Sequence, residues 1–410
     1  MNIAQAKEEI KHSVEAYLKK DAKGNYRIPV IRQRPILMMG PPGIGKTQIM
    51  EQIAEECGIG LVAYTITHHT RQSAVGLPMI EHMNYEGQQF AVTEYTMSEI
   101  IAGIYRLMKE TGKREGILFI DEINCVSETL TPAMLQFLQC KTFGNQPIPA
   151  GWIIVAAGNP PEYNKSVREF DLVTLDRVRY LTIEADLEAW MNYAADQHVH
   201  GVILSYLKLR PKNFYRIRAD VDGQRFVTAR GWEDLSALLL AYEEIGVNVT
   251  EEMIGEYLRD PQIAEDFYAY YELYRKYQDD YGIPEILQGH VEKAVYARLL
   301  QAQLDERIAV VYLILDALKE PLTALYETKN FVGSAESDRM AQELENVFDF
   351  MEDAFLDGDG QEMLIFIMGL TMCKEAAVFL AIHPLERYRK YNEQYLSDQR
   401  RTKLLQEIHS

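Results

Sequence analysis

Cysteine is scarce in this chain, with four in 410 residues: Cys57, Cys125, Cys140 and Cys373. No two of them stand in the CxxC spacing that is common in zinc and disulfide-exchange sites. Disulfide and zinc frameworks are therefore poor interpretations. We expect a reducing, cytoplasmic location.

Long apolar runs are also missing. The longest, such as Ala237–Tyr242 and Met363–Leu370, fall far short of the roughly 20 residues that a membrane-spanning helix needs. Met1–Lys20 has the pattern of a charged amphipathic helix and lacks the apolar centre of a secretory signal. The sequence therefore predicts neither a membrane segment nor secretion.

Positive charge is short in the second part of the chain. The net charge is −19, and residues 181–410 carry 23 Lys and Arg against 41 Asp and Glu, whereas residues 1–180 are almost balanced. Such a field repels nucleic acids and anionic membranes, so we expect neither as a partner. The acidic surface serves solubility or a protein partner, and solubility is the simpler account.

Strand and helix patterns alternate through residues 1–180, which predicts a parallel α/β sheet. The predicted strands are Ile36–Met39, Leu61–Thr65, Ile117–Asp121, Trp152–Ala157 and Val178–Ile183, with helices near 46–57, 97–111 and 128–140. Residues 77–92 interrupt this order as a β-hairpin, which turns at Asn84–Gly87.

Helical patterns alone follow Glu184, and no strand is expected there. The predicted helices cover 186–197, 199–210, 229–245, 251–257, 261–279, 284–300, 304–318, 337–356, 361–382 and 385–407.

A glycine-rich loop follows the first strand and precedes a helix. Its glycines allow backbone N–H groups to point inward at phosphate oxygens, and the helix presents its positive dipole end to the same anion. Lys46 would reach the β- and γ-phosphates, and the Thr47 hydroxyl would bind Mg²⁺. The predicted nucleotide-binding residues are Gly40, Pro41, Pro42, Gly43, Ile44, Gly45, Lys46, Thr47 and Gln48.

Two later strands end in polar groups that belong beside this loop. The apolar strand over 117–121 ends in Asp121 and Glu122, for which we predict Mg²⁺ binding and activation of the attacking water, respectively. The next strand ends at Asn159, whose amide could bond both phosphate and water.

Three arginines are candidates for contact with phosphate. One of Arg177 and Arg179 could reach a γ-phosphate held by a neighbouring subunit, with Arg177 the preferred choice. Arg230 stands near the N-terminus of a predicted helix, where a cation is unfavourable unless an anion accompanies it.

These motifs, in this order, resemble an AAA+ ATPase, and more closely the MoxR-like group of the clade with a β-hairpin inserted in helix 2. The resemblance rests on GPPGIGKT, the hairpin, ILFIDEIN, AAGNP, LDRVRY and TARGW, and covers about 230 residues. It departs from the family pattern at Val178, where Phe is usual, and at Ala229, where Pro is usual.

The resemblance implies an α/β fold class, with an AAA+ core over 1–183 and a helical lid over 184–262. Residues 263–410 match no part of the family pattern, and their helical periodicity predicts an added all-helical C-terminal domain. It also implies Walker A roles for Lys46 and Thr47 and Walker B roles for Asp121 and Glu122. Asn159 would be sensor 1, Arg177 the trans finger and Arg230 sensor 2.

The resulting hypothesis is ATP hydrolysis with Mg²⁺ by a ring, usually a hexamer. MoxR-like ATPases act as chaperone-like remodellers of a protein client, often a von Willebrand A-domain protein. Two alternatives stay open: a nucleic-acid-linked or restriction-type NTPase, and an ATP-gated scaffold with weak turnover. ATP is preferred over other nucleotides only by default.

Overall fold

The structure is a computed structural model that describes residues 1–68, 70–143, 146–163, 167, 170–220, 223–355 and 360–396. It divides into two compact units, Met1–Asp186 and Leu187–Ser410. The predicted division of the second unit at residue 262 remains a prediction.

The elements of the first unit follow in chain order: α1 Ile3–Leu18, β1 Ile36–Met39, α2 Gln48–Glu56, β2 Gly60–Thr65, α3 Arg71–Val75, β3 Pro78–Tyr85, β4 Gln88–Tyr95, α4 Glu99–Thr111, β5 Gly116–Asp121, α5 Thr131–Cys140, β6 Thr142–Phe143, β7 Gln146–Pro147, β8 Trp152–Gly158, α6 Leu172–Leu175 and β9 Arg179–Thr182. All five predicted sheet strands and the three predicted helices are present.

Five of these strands form one parallel sheet in the order β2-β5-β8-β1-β9. The central strands β1 and β8 are buried along their whole length, which is the burial expected for apolar runs covered by helices on both faces. Because the strands are parallel, the residues after Met39, Thr65, Asp121 and Gly158 all lie at the carboxyl edge of the sheet.

Trp152 packs at the opposite, amino end of this sheet. Its ring lies so close to Gly60 and Gly116, the first residues of β2 and β5, that an added Cβ would meet it at 3.0 and 2.7 Å. The side chain is 2% exposed. Glycine at these two positions therefore makes room for the indole.

The hairpin predicted over 77–92 is present as β3 and β4, between α3 and α4. Asn84 accepts a hydrogen bond from the Gly87 N–H at 2.9 Å, which closes the turn. Gly87 has a φ of 87°, a conformation that favours glycine.

The second unit is mostly helical, as expected. Its elements are α7 Leu187–Asp196, α8 Gly201–Leu209, β10 Arg216–Asp220, β11 Gly223–Val227, α9 Ala229–Ile245, α10 Glu251–Tyr257, α11 Pro261–Tyr281, α12 Ile283–Leu287, α13 Lys293–Leu299, α14 Leu304–Thr328, α15 Ala335–Phe355, α16 Gln361–Met372, α17 Lys374–Ile382 and α18 Glu386–Tyr395.

Three predictions for this unit were wrong. Strands do occur after Glu184, because β10 and β11, each five residues long, pair as a short antiparallel hairpin. The predicted helix over 284–300 is two helices, since Gly289 adopts a left-handed φ of 75° between them. The predicted helix over 361–382 breaks at Cys373, where α16 and α17 meet at 89°.

The remaining differences lie at helix ends. Helix α14 continues ten residues beyond its predicted end at residue 318, and Pro321 lies inside it. The last ten or so residues predicted as helix, 397–407, lie outside the described residues.

The core of the second unit joins helices from both sides of residue 262. Tyr206 of α8 lies with its ring centroid 5.6 Å from that of Trp232 and 5.1 Å from that of Phe267 of α11.

Within the described part of the chain, no single helix has the length and apolar content to cross a membrane. Helices α16 and α17 together have the length and composition of a membrane-spanning segment, but they are bent by 89° at Cys373.

Candidate functional site

The loop from Gly40 to Thr47 joins β1 to α2 at the carboxyl edge of the sheet. Gly43 and Gly45 have φ values of 71° and 90°, which non-glycine residues adopt only with strain. Among the described residues, none accepts a hydrogen bond from the backbone N–H groups of Gly43, Ile44 or Gly45. This row of free donors suits an anion, as the sequence predicts.

Lys46 is folded back over this loop, with 7% of the residue exposed. Its Nζ donates to the carbonyl oxygens of Gly40 and Pro41 at 2.9 and 2.8 Å, and to Oδ1 of Asn159 at 2.9 Å. All three acceptors are uncharged. A buried ammonium at this loop would gain strongly from a phosphate beside it.

Thr47 and Asp121 meet across the cleft between loop and sheet. The Thr47 hydroxyl donates to Oδ2 of Asp121 at 2.9 Å, while Oδ1 of the same carboxylate accepts from the Glu122 N–H at 2.8 Å. A hydroxyl and a carboxylate oxygen at hydrogen-bond distance form a donor set of the kind that Mg²⁺ prefers. These are the two residues for which the sequence predicts metal binding.

Glu122 follows β5 in a left-handed conformation with a φ of 56°. For a residue other than glycine this backbone is uncommon, and such strain often marks a functional position. Its Oε2 accepts a hydrogen bond from the hydroxyl of Thr67 at 2.8 Å. Thr67 lies just beyond β2 and was not among the predicted site residues.

Asn159 follows β8, the strand between β1 and β5. Besides its side-chain bond to Lys46, its backbone carbonyl accepts a hydrogen bond from Nδ2 of Asn124 at 2.8 Å. Asn124 is 3% exposed, and its buried Oδ1 has no hydrogen-bond partner among the residues that the structure describes. Asn124 was also missed, although it closes the quoted run ILFIDEIN.

Signals for both missed residues exist in the sequence. Each stands within three residues of the end of a predicted strand, and the carboxyl ends of parallel strands meet at one edge. A position near a strand end does not say which polar side chain points toward the loop. The hydrogen bonds of Thr67 with Glu122 and of Asn124 with Asn159 are therefore visible only in the structure.

The two candidate finger arginines have different surroundings. Arg179 begins β9 opposite Ile36, at the amino edge of the sheet, and its guanidinium bonds Glu9 and Ser13 of α1. Arg177 is exposed and donates to Gln139 of α5. Arg179 is thus occupied within its own unit, and Arg177 is the more available of the two.

Arg230 belongs to the second unit and is the second residue of α9. It is exposed, and Thr228 caps the helix by accepting from the Gly231 N–H at 3.2 Å. The structure therefore confirms that Arg230 lies in the first turn of a helix, while its sensor role stays a prediction.

The first unit brings together a glycine loop, a buried lysine, a strand-end acid pair and a threonine at one sheet edge. That combination defines a P-loop nucleotide-binding domain.

Residues 36–171 match the family model described as ATPase family associated with various cellular activities (AAA). The matched segment contains the loop, both acids and Asn159; Arg177 and Arg230 lie outside it. A search of curated proteins found no match. The family match supports an AAA+ ATPase with ATP binding, and it leaves the finer group open.

Proposed function

We propose that this chain is a MoxR-like AAA+ ATPase of the helix-2-insert clade, which hydrolyses ATP with Mg²⁺ as a ring and remodels or activates a protein client. The observation that carries the proposal is the convergence of Lys46, Thr47, Asp121, Glu122 and Asn159 at one sheet edge.

Each of these side chains has a task in the proposed reaction. The loop N–H groups and Lys46 hold the phosphates, and Glu122 accepts a proton from the attacking water. Asn159 orients the γ-phosphate or that water through its amide. Thr47 and Asp121 would hold Mg²⁺, which supplies positive charge to the phosphate oxygens when bound.

Glu122→Gln is the direct test of hydrolysis. We expect tight ATP binding with turnover reduced at least about 100-fold, because glutamine keeps the shape of the side chain but cannot accept the proton. Glu110→Gln, at an exposed position on α4, is the matched control. Wild-type turnover by Glu122→Gln would show that the base is another group.

A ring with a trans finger predicts complementation between inactive variants. Arg177→Ala keeps Glu122 but deprives a neighbour of its guanidinium, and Glu122→Gln keeps Arg177. Mixed rings would contain sites with both groups, so we expect the mixture to regain activity that neither variant has alone. Failure to regain activity, with mixing verified by labelled subunits, would contradict the trans role of Arg177.

The hairpin β3–β4 supports a role in client contact. Ile80, Tyr85 and Phe90 are 72%, 54% and 47% exposed on it. Exposed apolar groups of this size on a two-stranded ribbon are typical of a binding surface. The client in this proposal is a von Willebrand A-domain protein, and its retention by Glu122→Gln in the presence of ATP would identify it. The proposal also includes a cytoplasmic location.

A further inference from the structure

The second unit contains a cavity of about 160 Å³ that no part of the proposed ATPase mechanism uses. Helices α7, α8, α14 and α16 and the start of α17 surround it. A cavity of this size has room for roughly one benzene ring. It lies wholly within one unit, so its walls do not depend on the placement of the other.

The walls of the cavity are mostly apolar. They include leucines of α8 and α14 together with Met191, Met368 and Met372. Methionine side chains are unbranched and flexible, so walls of this kind can adjust to the shape of an occupant. Mostly apolar walls with a few placed polar groups are typical of small-molecule sites.

The charged groups around the cavity come in opposite pairs. Burial lowers the pKa of Lys208, and the negative charge of Glu188, which lines the same cavity, opposes that shift. Lys319, also part of the lining, is paired with Asp316 at 2.7 Å. A charged ligand would meet a repelling group beside each attracting one, and it would lose its hydration on entry. The cavity therefore favours a neutral occupant.

Tyr312 of α14 contributes a polar group to this lining. The residue is 8% exposed, and across the described ranges no residue forms a hydrogen bond with its hydroxyl. Burial raises the pKa of Tyr312, so the hydroxyl stays protonated at neutral pH and can both donate and accept a hydrogen bond. A buried hydroxyl without a protein partner gains free energy when a ligand supplies one.

We propose that this cavity binds a small neutral molecule with an apolar body of about six carbons and one hydroxyl group, which forms a hydrogen bond with the Tyr312 hydroxyl. The apolar body packs among the leucines and methionines of the wall. Phenol has this composition, and it is uncharged at neutral pH because its pKa is close to that of a tyrosine side chain. This site is separate from the P-loop and does not rest on the proposed function.

Calorimetric titration of the full chain with phenol tests the proposal. We expect saturable binding of one phenol per chain, and no saturable binding of benzoate or benzylammonium, which carry a charge beside the same ring. Tyr312→Phe should weaken phenol binding about tenfold, because the phenol hydroxyl is then buried without its partner. The same variant should leave the binding of benzene unchanged, since benzene has no hydroxyl to pair.

Two further variants complete the test. Tyr268→Phe removes a tyrosine hydroxyl from α11, outside the cavity, and should bind phenol as the wild type does. Ala195→Phe adds a ring at the cavity wall and should abolish binding of both phenol and benzene, with folding confirmed by circular dichroism. The proposal is overturned if the wild type shows no saturable binding of phenol, if Tyr312→Phe and Tyr268→Phe bind phenol equally, or if folded Ala195→Phe still binds it.

Discussion

Asn124 links the end of β5, beside Asp121 and Glu122, to Asn159 at the end of β8. We expect its replacement to lower the rate of catalysis while it leaves the free energy of unfolding almost unchanged. The Nδ2 group donates to the Asn159 carbonyl at 2.8 Å, while the buried Oδ1 finds no partner in the described part of the chain. Asn124→Ala deletes both atoms at once. The two deletions act on stability in opposite directions.

Losing the hydrogen bond costs about 1 kcal/mol, but losing a buried acceptor without a partner relieves roughly 1–3 kcal/mol. A small void offsets part of that relief. We therefore expect the free energy of unfolding to change by no more than about 1 kcal/mol. We expect kcat to fall about tenfold, since a displacement on the order of 1 Å of a catalytic group can cost up to about 100-fold.

The assay pairs chemical unfolding with steady-state ATPase kinetics. The decrease should fall on kcat rather than KM, because the described side-chain hydrogen bond of Asn124 goes to Asn159 and not to the phosphate-binding loop. Asn159→Ala and the double variant complete a cycle, and the double variant should be no slower than Asn159→Ala alone. Wild-type kcat in Asn124→Ala would refute the positioning role, as would independent, multiplicative effects in the cycle.

Two further predictions concern other contacts in the first unit. Thr67→Val keeps the size of the side chain but removes the bond that holds Glu122, so basal ATPase activity should rise severalfold with the melting temperature nearly unchanged; an unchanged rate would show that this bond does not restrain the base. Burial lowers the pKa of Lys141 from 10.5 to about 8, so the unfolded chain binds more protons there between pH 8 and 10.5. The stability of the wild type should therefore rise with pH relative to that of Lys141→Met in that window. If the melting temperatures of the two proteins change equally between pH 8 and 10, the prediction is contradicted.

The strands of the first unit were predictable because each is a short apolar run bounded by glycine, proline or charge. Their parallel pairing then follows from the alternation with helices. The hairpin β10–β11 was not predictable in the same way, because its strands are only five residues long and contain Arg216, Arg218 and Arg225. Its pairing depends on tertiary context that local propensity does not encode.

The site was predictable where chemistry follows from residue type at a strand end, as for Lys46, Asp121 and Glu122. Asn124 and Thr67 escaped because asparagine and threonine are common in turns, and only the fold shows which ones turn inward. The sequence already favours Arg177 over Arg179, but the contacts that occupy Arg179 could not be predicted, since they join it to α1 across about 170 residues of sequence.

The indole packed against Gly60 and Gly116 gives the molecule a spectroscopic handle. Trp152 is one of three tryptophans, and the other two, Trp190 and Trp232, belong to the second unit. Replacing that pair with phenylalanine would leave Trp152, inside the sheet of the first unit, as the single tryptophan to excite selectively. Its fluorescence would then report melting of that unit alone, and energy transfer to a labelled nucleotide would follow binding without any attached dye on the protein.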